Sequence, residues 1–249
     1  MNVWGLTNRG KVRKENQDAF YAKTITTAGA TMSICVICDG MGGVKGGDVA
    51  SKLAVDAFQK ALESEIIPLA ECSELLHHAV AVATEKVIAH AKAHPAINDM
   101  GTTLVAALIN VKGEAAVVNI GDSRCYLLRC GEDGSYGIIE QITKDHSHVE
   151  DMVDAGELRR EEARFHPARN YITRAISLDA LTTPDFFELK LNSGDILLLC
   201  SDGLSNELDP KEIAYELMHG DIDTAAQRCL NIALTRGAPD NVTVVIFQM

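Results

Sequence analysis

Basic residues are in short supply: 23 Lys and Arg stand against 35 Asp and Glu in 249 residues, a formal net charge of −12. Nucleic acid and anionic membrane surfaces both select basic protein faces, so neither is an expected partner. No apolar stretch approaches the roughly 20 residues needed to span a bilayer. Met1 to Gly10 also lacks the basic-then-apolar order of a secretion signal. The 7 cysteines are odd in number, and several fall inside strand-like runs. With the missing signal, this points to reduced thiols and a cytoplasmic location rather than a disulfide framework. Cys35-Val-Ile-Cys38 has the spacing of a redox or zinc motif. It lies within a strand rather than at a helix start, and no second Cys/His pair matches it, so plain core thiols are the expectation. No repeat, low-complexity tract or linker interrupts the chain. Residues 1–249 read as one domain, with 47% hydrophobic residues to fill its core.

What is present is a repeated conjunction of apolar run and aspartate. Ser33 to Cys38 empties into Asp39-Gly40, Ala115 to Ile120 into Gly121-Asp122, and Asp195 to Ser201 into Asp202-Gly203; Val242 to Phe247 follows Asp240-Asn241. Runs rich in Val and Ile of this length read as buried strands. A carboxylate at the end of a buried strand is rigidly aimed yet reachable from solvent, which suits a hard-cation site. A single Asp-Gly is a common turn dipeptide; four such aspartates favour a cluster.

Between these runs the pattern alternates. Short strands at Asn2 to Thr7 and Ala19 to Ala22 flank a polar loop containing Arg13, and Thr31 to Cys38 is the next strand. A glycine-rich loop, Asp39 to Gly47, precedes a helix from about Asp48 to Leu62. Its buried face is Ala50, Leu53, Ala54, Ala57, Phe58, Ala61 and Leu62. A second helix, about Ser73 to Ala93, buries Leu76, Ala79, Val80, Ala83 and Val87. Strands follow at Thr102 to Ile109, Glu114 to Ile120, Arg124 to Arg129 and Ile138 to Ile142. The connections at 110–113 and 121–123 are too short for crossover helices, so the strands they join are expected to be antiparallel neighbours. Ser147 to Asn170 is dense in charge and reads as a small helical excursion, either a lid or an idle surface insert. Strands at Phe186 to Leu191 and Asp195 to Cys200, helices at about Pro210 to Met218 and Thr224 to Arg236, and a last strand from Val242 to Gln248 complete the chain. Gly237 is the expected stop of the second of these helices. Segregated antiparallel strands and helices make the class α+β, with two sheets covered by helix layers.

Oxygen-only ligation by Asp39, Asp202 and Asp240 would select Mg²⁺ or Mn²⁺ over zinc. Two such ions sharing a water form a site that hydrolyses phosphate esters, and an arginine to grip the phosphate oxygens is then expected. Arg13 is the best-positioned candidate, with a solvated loop arginine as the plain alternative. A glycine-rich loop before a helix could instead bind nucleotide phosphates. Here, however, the glycines do not fit the dinucleotide fingerprint and no Gly-Lys-Ser/Thr follows. A two-metal nuclease is disfavoured by the missing basic stripe, while a small-molecule phosphoesterase remains open.

The motifs run in a familiar order: Arg13 through Asn16-Gln17-Asp18, Cys38-Asp39-Gly40-Met41-Gly42-Gly43, Gly101-Thr102-Thr103, and Asn119-Ile-Gly-Asp122-Ser-Arg124. Then come Thr143-Lys-Asp-His146-Ser147, Thr173-Arg-Ala-Ile176, Ser201-Asp202-Gly203-Leu204 and Asp240-Asn241-Val242-Thr243. In this series the chain resembles the protein phosphatase 2C family of metal-dependent Ser/Thr phosphatases, and is most similar to its short bacterial, catalytic-domain-only members. The resemblance implies a sandwich of two antiparallel sheets between helix layers, with Mn²⁺ or Mg²⁺ at one end. Asp39 would bridge two core ions, the Gly40 carbonyl would bind one, and Asp202 and Asp240 would hold the other. Asp18 would support the cluster, Asp122 with Asp202 would take a third, weaker ion, and Arg13 would clamp phosphate. Residues 147–170 match the family's flap.

The implied activity is hydrolysis of phosphoserine and phosphothreonine in proteins by a monomer, opposing a cytoplasmic Ser/Thr kinase. A catalytically dead module that only holds a phosphoprotein is the rival, weakened by the presence of all three aspartates. Two departures stand out. Met41 occupies a position where many relatives have a proton-donating His, and Ser177 replaces a glycine, which puts the local backbone after the flap in question. His77, His78, His90 and His94 read as surface residues, and His146 as a structural hydrogen-bonder.

Overall fold

The computed structural model of the chain describes residues 1–27, 30–41, 46–65, 71–180 and 182–249. In chain order it contains β1 (Asn2–Asn8), β2 (Asp18–Thr27), β3 (Ala30–Met41), α1 (Gly47–Glu65) and α2 (Cys72–Ala93). Next come β4 (Gly101–Thr102), β5 (Leu104–Asn110), β6 (Glu114–Ile120), β7 (Arg124–Leu128) and β8 (Glu140–Gln141). Then follow α3 (His148–Asp154), α4 (Arg160–Ala163), β9 (Ile176–Ser177), β10 (Asp185–Lys190) and β11 (Ile196–Cys200). The chain closes with α5 (Asp202–Ser205), α6 (Pro210–Leu217), α7 (Ile222–Arg236) and β12 (Val242–Gln248).

The strands make two antiparallel sheets. One runs β1-β12-β11-β7-β8. In the other β10, β6, β5 and β3 are consecutive, β2 lies on the far side of β3, and β4 and β9 extend from the end of β3. Successive side chains of a strand point to opposite faces, and here both faces are covered. Along β3, Ile34, Val36 and Cys38 pack toward α1 and α2, whereas Cys35 and Ile37 meet Leu197, Leu199, Val245 and Phe247 of the opposite sheet. The outer face of that opposite sheet, with Leu198, Val244 and Ile246, is covered by Ile213, Leu217 and Leu230 of α6 and α7. The order is therefore helices, sheet, sheet, helices, the α+β class expected. Burial on both faces is why these strands read as unbroken apolar runs instead of alternating ones.

The helices fall close to their expected positions. In α1 every residue of the expected face is buried except Leu53, which is half-buried, and α2 adds Cys72, Leu75 and Ala91 to its stripe. Gly237 ends α7 in the left-handed region, with φ of 119°. Cys35 and Cys38 are buried free thiols, as expected. The region from Ile138 to Ile142 keeps only the two-residue β8.

One expectation fails. β5 and β6 are antiparallel neighbours as foreseen, but β6 and β7 are not: they lie in different sheets. The connection at 121–123 turns the chain from one layer into the other, using Gly121 at φ of 110°. A short connection excludes a parallel crossover, yet it does not distinguish a hairpin from a corner between packed sheets. The corner matters, because Asp122 stands on it. Ser177 also fits better than expected. It pairs with Gly101 in a regular bridge between β9 and β4, and the missing side chain of Gly101 leaves room for it: a Cβ there would lie 2.9 Å from that of Ser177.

Candidate metal centre

All the expected aspartates gather where the two sheets end together. Asp39 lies near the end of β3, opposite Asp18 at the start of β2 in the strand register. β11 and β12 are antiparallel neighbours, with Cys200 opposite Val244. Asp202, just past β11, and Asp240, just before β12, therefore emerge at the same end. Asp122 joins them from the corner between the sheets. Asp39, Gly40, Asp122, Asp202 and Asp240 line one pocket of about 260 Å³, and Arg13 is the basic side chain on its wall. Met41 lines it too, together with Asn170 and Ile172 from the base of the 147–170 excursion. Gly42, Gly43 and the rest of residues 42–45, expected as a close-approach loop, lie outside the described residues.

Asp18 is buried behind this wall, and it stitches the sheets together. Its Oδ2 accepts hydrogen bonds from Ser201 Oγ at 2.8 Å and Thr243 Oγ1 at 2.5 Å, both from the other sheet. Because a carboxylate only accepts, donation must run toward it: Asn16 Nδ2 to Thr7, Thr7 to Thr243, Thr243 to Asp18. Asp39 is fixed through its backbone. Its amide donates to Thr103 Oγ1 at 3.0 Å, and its carbonyl accepts from Thr103 N and Thr102 Oγ1, both at 2.9 Å. Its carboxylate lies within hydrogen-bond reach of that of Asp202. Asn241, beside Asp240, ties down the loop that carries Arg13: its Oδ1 accepts from Gln17 N, and its Nδ2 donates to the carbonyls of Arg9 and Glu15. Two glycines are sterically required. A Cβ on Gly203 would lie 1.9 Å from the Asn241 carbonyl oxygen, and one on Gly40 would lie 2.1 Å from that of Gly47.

The electrostatics are those of carboxylates crowded without compensation. Asp18 is raised to about 7, mainly by burial and against the pull of Thr243 and Ser201. Asp202 is raised to about 6 by burial and then by the charge of Asp240. Asp39 is pushed well up by burial and by Asp18 and Asp202, and Asp122 by burial, Asp202 and Asp145. Asp39 and Asp202 are half-buried and keep an edge open to the pocket. Among the described residues the one carboxylate that Arg13 pairs with is Asp240, at 2.6 Å between Nη2 and Oδ2.

These features fit a divalent cation. The donors are all oxygens, two buried carboxylate atoms (Asp18 Oδ1 and Asp202 Oδ1) have no hydrogen-bond partner among the described residues, and positive charge is what the cluster lacks. Among the described residues no three His, Cys, Asp or Glu side chains are already closed up as an ion cage. The carboxylates converge on a shared space rather than on one point.

Supporting residues frame the pocket. Arg124 clasps buried Asp145 through Nε and Nη2, at 2.7 to 3.0 Å. His146 is buried and structural, as expected: its Nδ1 accepts from Gly121 N, so Nε2 carries the proton and donates to Asp185 Oδ2 at 3.0 Å. Asn206 Nδ2 donates to Asp202 Oδ2 at 3.0 Å. The sequence reading assigned no role to Asn241, Thr103, Ser201, Thr243 or Asn206. Their only signal was adjacency to the motif aspartates, since a polar residue that satisfies a neighbouring backbone has no distinctive spacing.

A search of family models matches residues 8–234 to the family described as Protein phosphatase 2C. The serine/threonine protein phosphatase PstP of Mycobacterium tuberculosis is 38% identical over 240 residues, covering 96% of this chain and 43% of that protein. The chain thus spans less than half the length of that curated relative. The protein phosphatase PhpP of Streptococcus pneumoniae is 36% identical over 252 residues, covering 100% of this chain and 98% of that protein. The crystal structure of the catalytic domain of PstP in complex with 2 manganese ions superposes with a TM-score of 0.83 at 34% identity, covering 98% of this chain and 96% of that one.

Proposed function

The chain belongs to the protein phosphatase 2C family, and from that premise we propose that it is a metal-dependent serine/threonine protein phosphatase, active as a single-domain monomer against phosphoproteins made by a cytoplasmic Ser/Thr kinase. The observation that carries the reading is the convergence of Asp39, Asp122, Asp202 and Asp240 on one pocket with Arg13 on its wall. Asp39, Asp202, Asp240 and the Gly40 carbonyl would hold two Mn²⁺ or Mg²⁺ ions, Asp18 would back them, and Asp122 with Asp202 would take a third, weaker one. The 2 manganese ions of the PstP catalytic domain support the first part of that assignment. Bound in such a site, divalent ions neutralise charge on a phosphate and lower the pKa of a water that attacks it.

The remaining work falls to the chain. Arg13 touches Asp240 through one nitrogen, so its other N–H groups are available to non-bridging phosphate oxygens in paired hydrogen bonds. Thr103 and Thr102 hold the Asp39 backbone still, which keeps its carboxylate aimed. Met41, on the pocket wall, has no proton to give, so the leaving serine or threonine oxygen must take its proton from water. The buried free cysteines, pushed up by burial (Cys35 to about 12), are unsuited to act as nucleophiles. This favours direct attack by water without a phosphoenzyme.

The test is phosphate release from a phosphothreonine peptide. Release is expected with Mn²⁺ or Mg²⁺ and is expected to stop with EDTA. Turnover that survives EDTA, or none at any Mn²⁺ concentration, refutes the reading. Preference for a small phosphate ester over every phosphopeptide would move the substrate class to small molecules.

A further inference from the structure

Next to the candidate active site, and sharing Arg13, Asn170 and Asp240 with it, is a second cavity of about 240 Å³. It lies between residues 164–170 of the excursion and the segment from Gly203 to Glu207. Its charge runs against that of the whole chain. Against an overall −12, this cavity sets Arg13, Arg164 and Arg169 beside two carboxylates, Asp240 and Glu207. Asp240 is already taken by Arg13.

The two outer arginines have little to do within the fold. Arg164 directs Nε and Nη2 at one backbone carbonyl, that of Asn206, at 2.9 and 2.8 Å, and its guanidinium carbon lies 5.9 Å from the centre of the Phe165 ring. No carboxylate pairs with it among the described residues. The Arg169 guanidinium has neither a hydrogen bond nor an ion pair there. By contrast, Arg159 and Arg160 of the same excursion are ion-paired, with Glu162 and Glu150. Exposed apolar side chains stand close by in sequence: Phe165 is 77% and Tyr171 69% exposed. Half-buried, uncompensated arginines beside exposed aromatic rings are suited to an extended, anionic polypeptide.

We infer that this cavity is a substrate subsite in which Arg164 and Arg169 receive an anionic side chain, carboxylate or phosphate, a few residues from the phosphorylated residue being hydrolysed. The inference rests on the phosphatase reading above and adds a sequence preference to it. Arg169 supplies the free charge, and Arg164, held by Asn206, supplies a fixed one. An ion pair at a partly exposed site is modest in water and stronger in a cleft, so the expected gain for a well-placed anion is about three- to tenfold. It should shrink as salt is raised.

The experiment uses phosphothreonine peptides carrying a single Glu, phosphoserine, Ala or Lys at successive positions on either side of the phosphothreonine. Wild type is expected to show kcat/KM about three- to tenfold higher for Glu than for Ala at one position or more. A larger gain with phosphoserine identifies phosphate as the preferred anion, and an equal gain identifies charge alone. Arg169→Glu is expected to reverse the order, favouring Lys over Glu, while Arg169→Lys retains the wild-type order. A change in folding would move all peptides together and leave these ratios intact. Wild type that treats Glu and Ala alike at every position overturns the inference, as does a Glu preference that survives Arg169→Glu. The same ratios are to be read as affinities, by fluorescence anisotropy on peptides with a non-hydrolysable phosphonate. A protein that turns over nothing would then refute the phosphatase reading, while the anisotropy ratios still decide the subsite.

Discussion

Replacing Asp39 by asparagine should make the cation-free protein more stable while abolishing its turnover. The reasoning starts from protons. Asp39 is held well above its ordinary 3.8 by burial and by Asp18 and Asp202. Above pH 3.8 the unfolded chain therefore releases a proton that the folded chain retains, and stability falls as pH rises until the folded group ionises. The neutral amide of the variant carries no such penalty. The scale comes from Asp18, whose rise to about 7, at about 1.4 kcal/mol per tenfold change in proton affinity, corresponds to about 4 kcal/mol. The aspartates share one field and their penalties do not add, so about 2 kcal/mol is a conservative gain, or roughly 4–8 °C in Tm for a chain of this size. The backbone anchors of Asp39 do not involve the carboxylate and survive the change. In EDTA the variant should match wild type near pH 3.5, where Asp39 is protonated in both folded and unfolded chains, and exceed it by that amount at pH 8, read by differential scanning calorimetry. His146, lowered mainly by burial, costs stability as pH falls below its ordinary 6.5, but it does so in both proteins and cancels in the difference. Mn²⁺ should reverse the order, since a ligand at 100 times its Kd adds about 2.7 kcal/mol to the protein that binds it. A variant less stable than wild type in EDTA at pH 8, or a difference that does not change with pH, would refute the argument.

Two further substitutions separate the site from the scaffold. Asn241→Ala removes the acceptor for Gln17 N and the donor to the Arg9 and Glu15 carbonyls. It should cost about 2–3 kcal/mol in urea denaturation and raise KM for a phosphopeptide, because the loop bearing Arg13 loses its tether; an unchanged KM would contradict this. Asp195→Ala acts elsewhere. The fully buried carboxylate accepts from the Cys130 and Asn192 amides and pairs with Arg129 at 2.8 Å. Its loss should cost about 3 kcal/mol or more with kcat/KM unaltered below the melting transition.

Much of this was legible in the sequence, for identifiable reasons. The strands were visible because both faces of each sheet are covered, which concentrates Val, Ile and Leu into runs such as Ile34 to Cys38. The helices were visible because α1 and α2 bury a single face at three-and-four spacing. Asp39, Asp202 and Asp240 could be picked out because each stands where such a run meets solvent. Asp18 could not, because the strand it opens, Asp18-Ala-Phe-Tyr-Ala-Lys-Thr, is only partly buried and mixes polar with apolar residues. It entered the expected cluster only through the motif series, and the register then sets it opposite Asp39. Pairing partners were the weakest inference. The three residues at 121–123 fit a hairpin and a corner equally well, and the choice is made by packing between sheets that no local pattern encodes.

The location of the aspartates also explains how the fold tolerates them. Each sheet alone would present strand ends carrying unbalanced carboxylates. Joining the sheets brings those charges together, which is unfavourable, but it also brings Ser201 and Thr243 onto Asp18 and Asn206 onto Asp202. The hydroxyl donors reach Asp18 from the opposite sheet, and the amide of Asn206 reaches Asp202 from four residues further along the chain. They meet only part of the demand: among the described residues Asp18 Oδ1 and Asp202 Oδ1 remain without partners, and burial keeps Asp18, Asp39, Asp122 and Asp202 raised. Asp240 has Arg13, and Arg13 sits on a loop held by Asn241, the residue next to Asp240 itself. The fold thus supplies enough hydrogen bonding to form the cluster without a cation, and too little to quiet it. The remaining deficit of positive charge is a force for binding one, so the sheet seam that is weakest for stability is the place where a divalent ion would gain most.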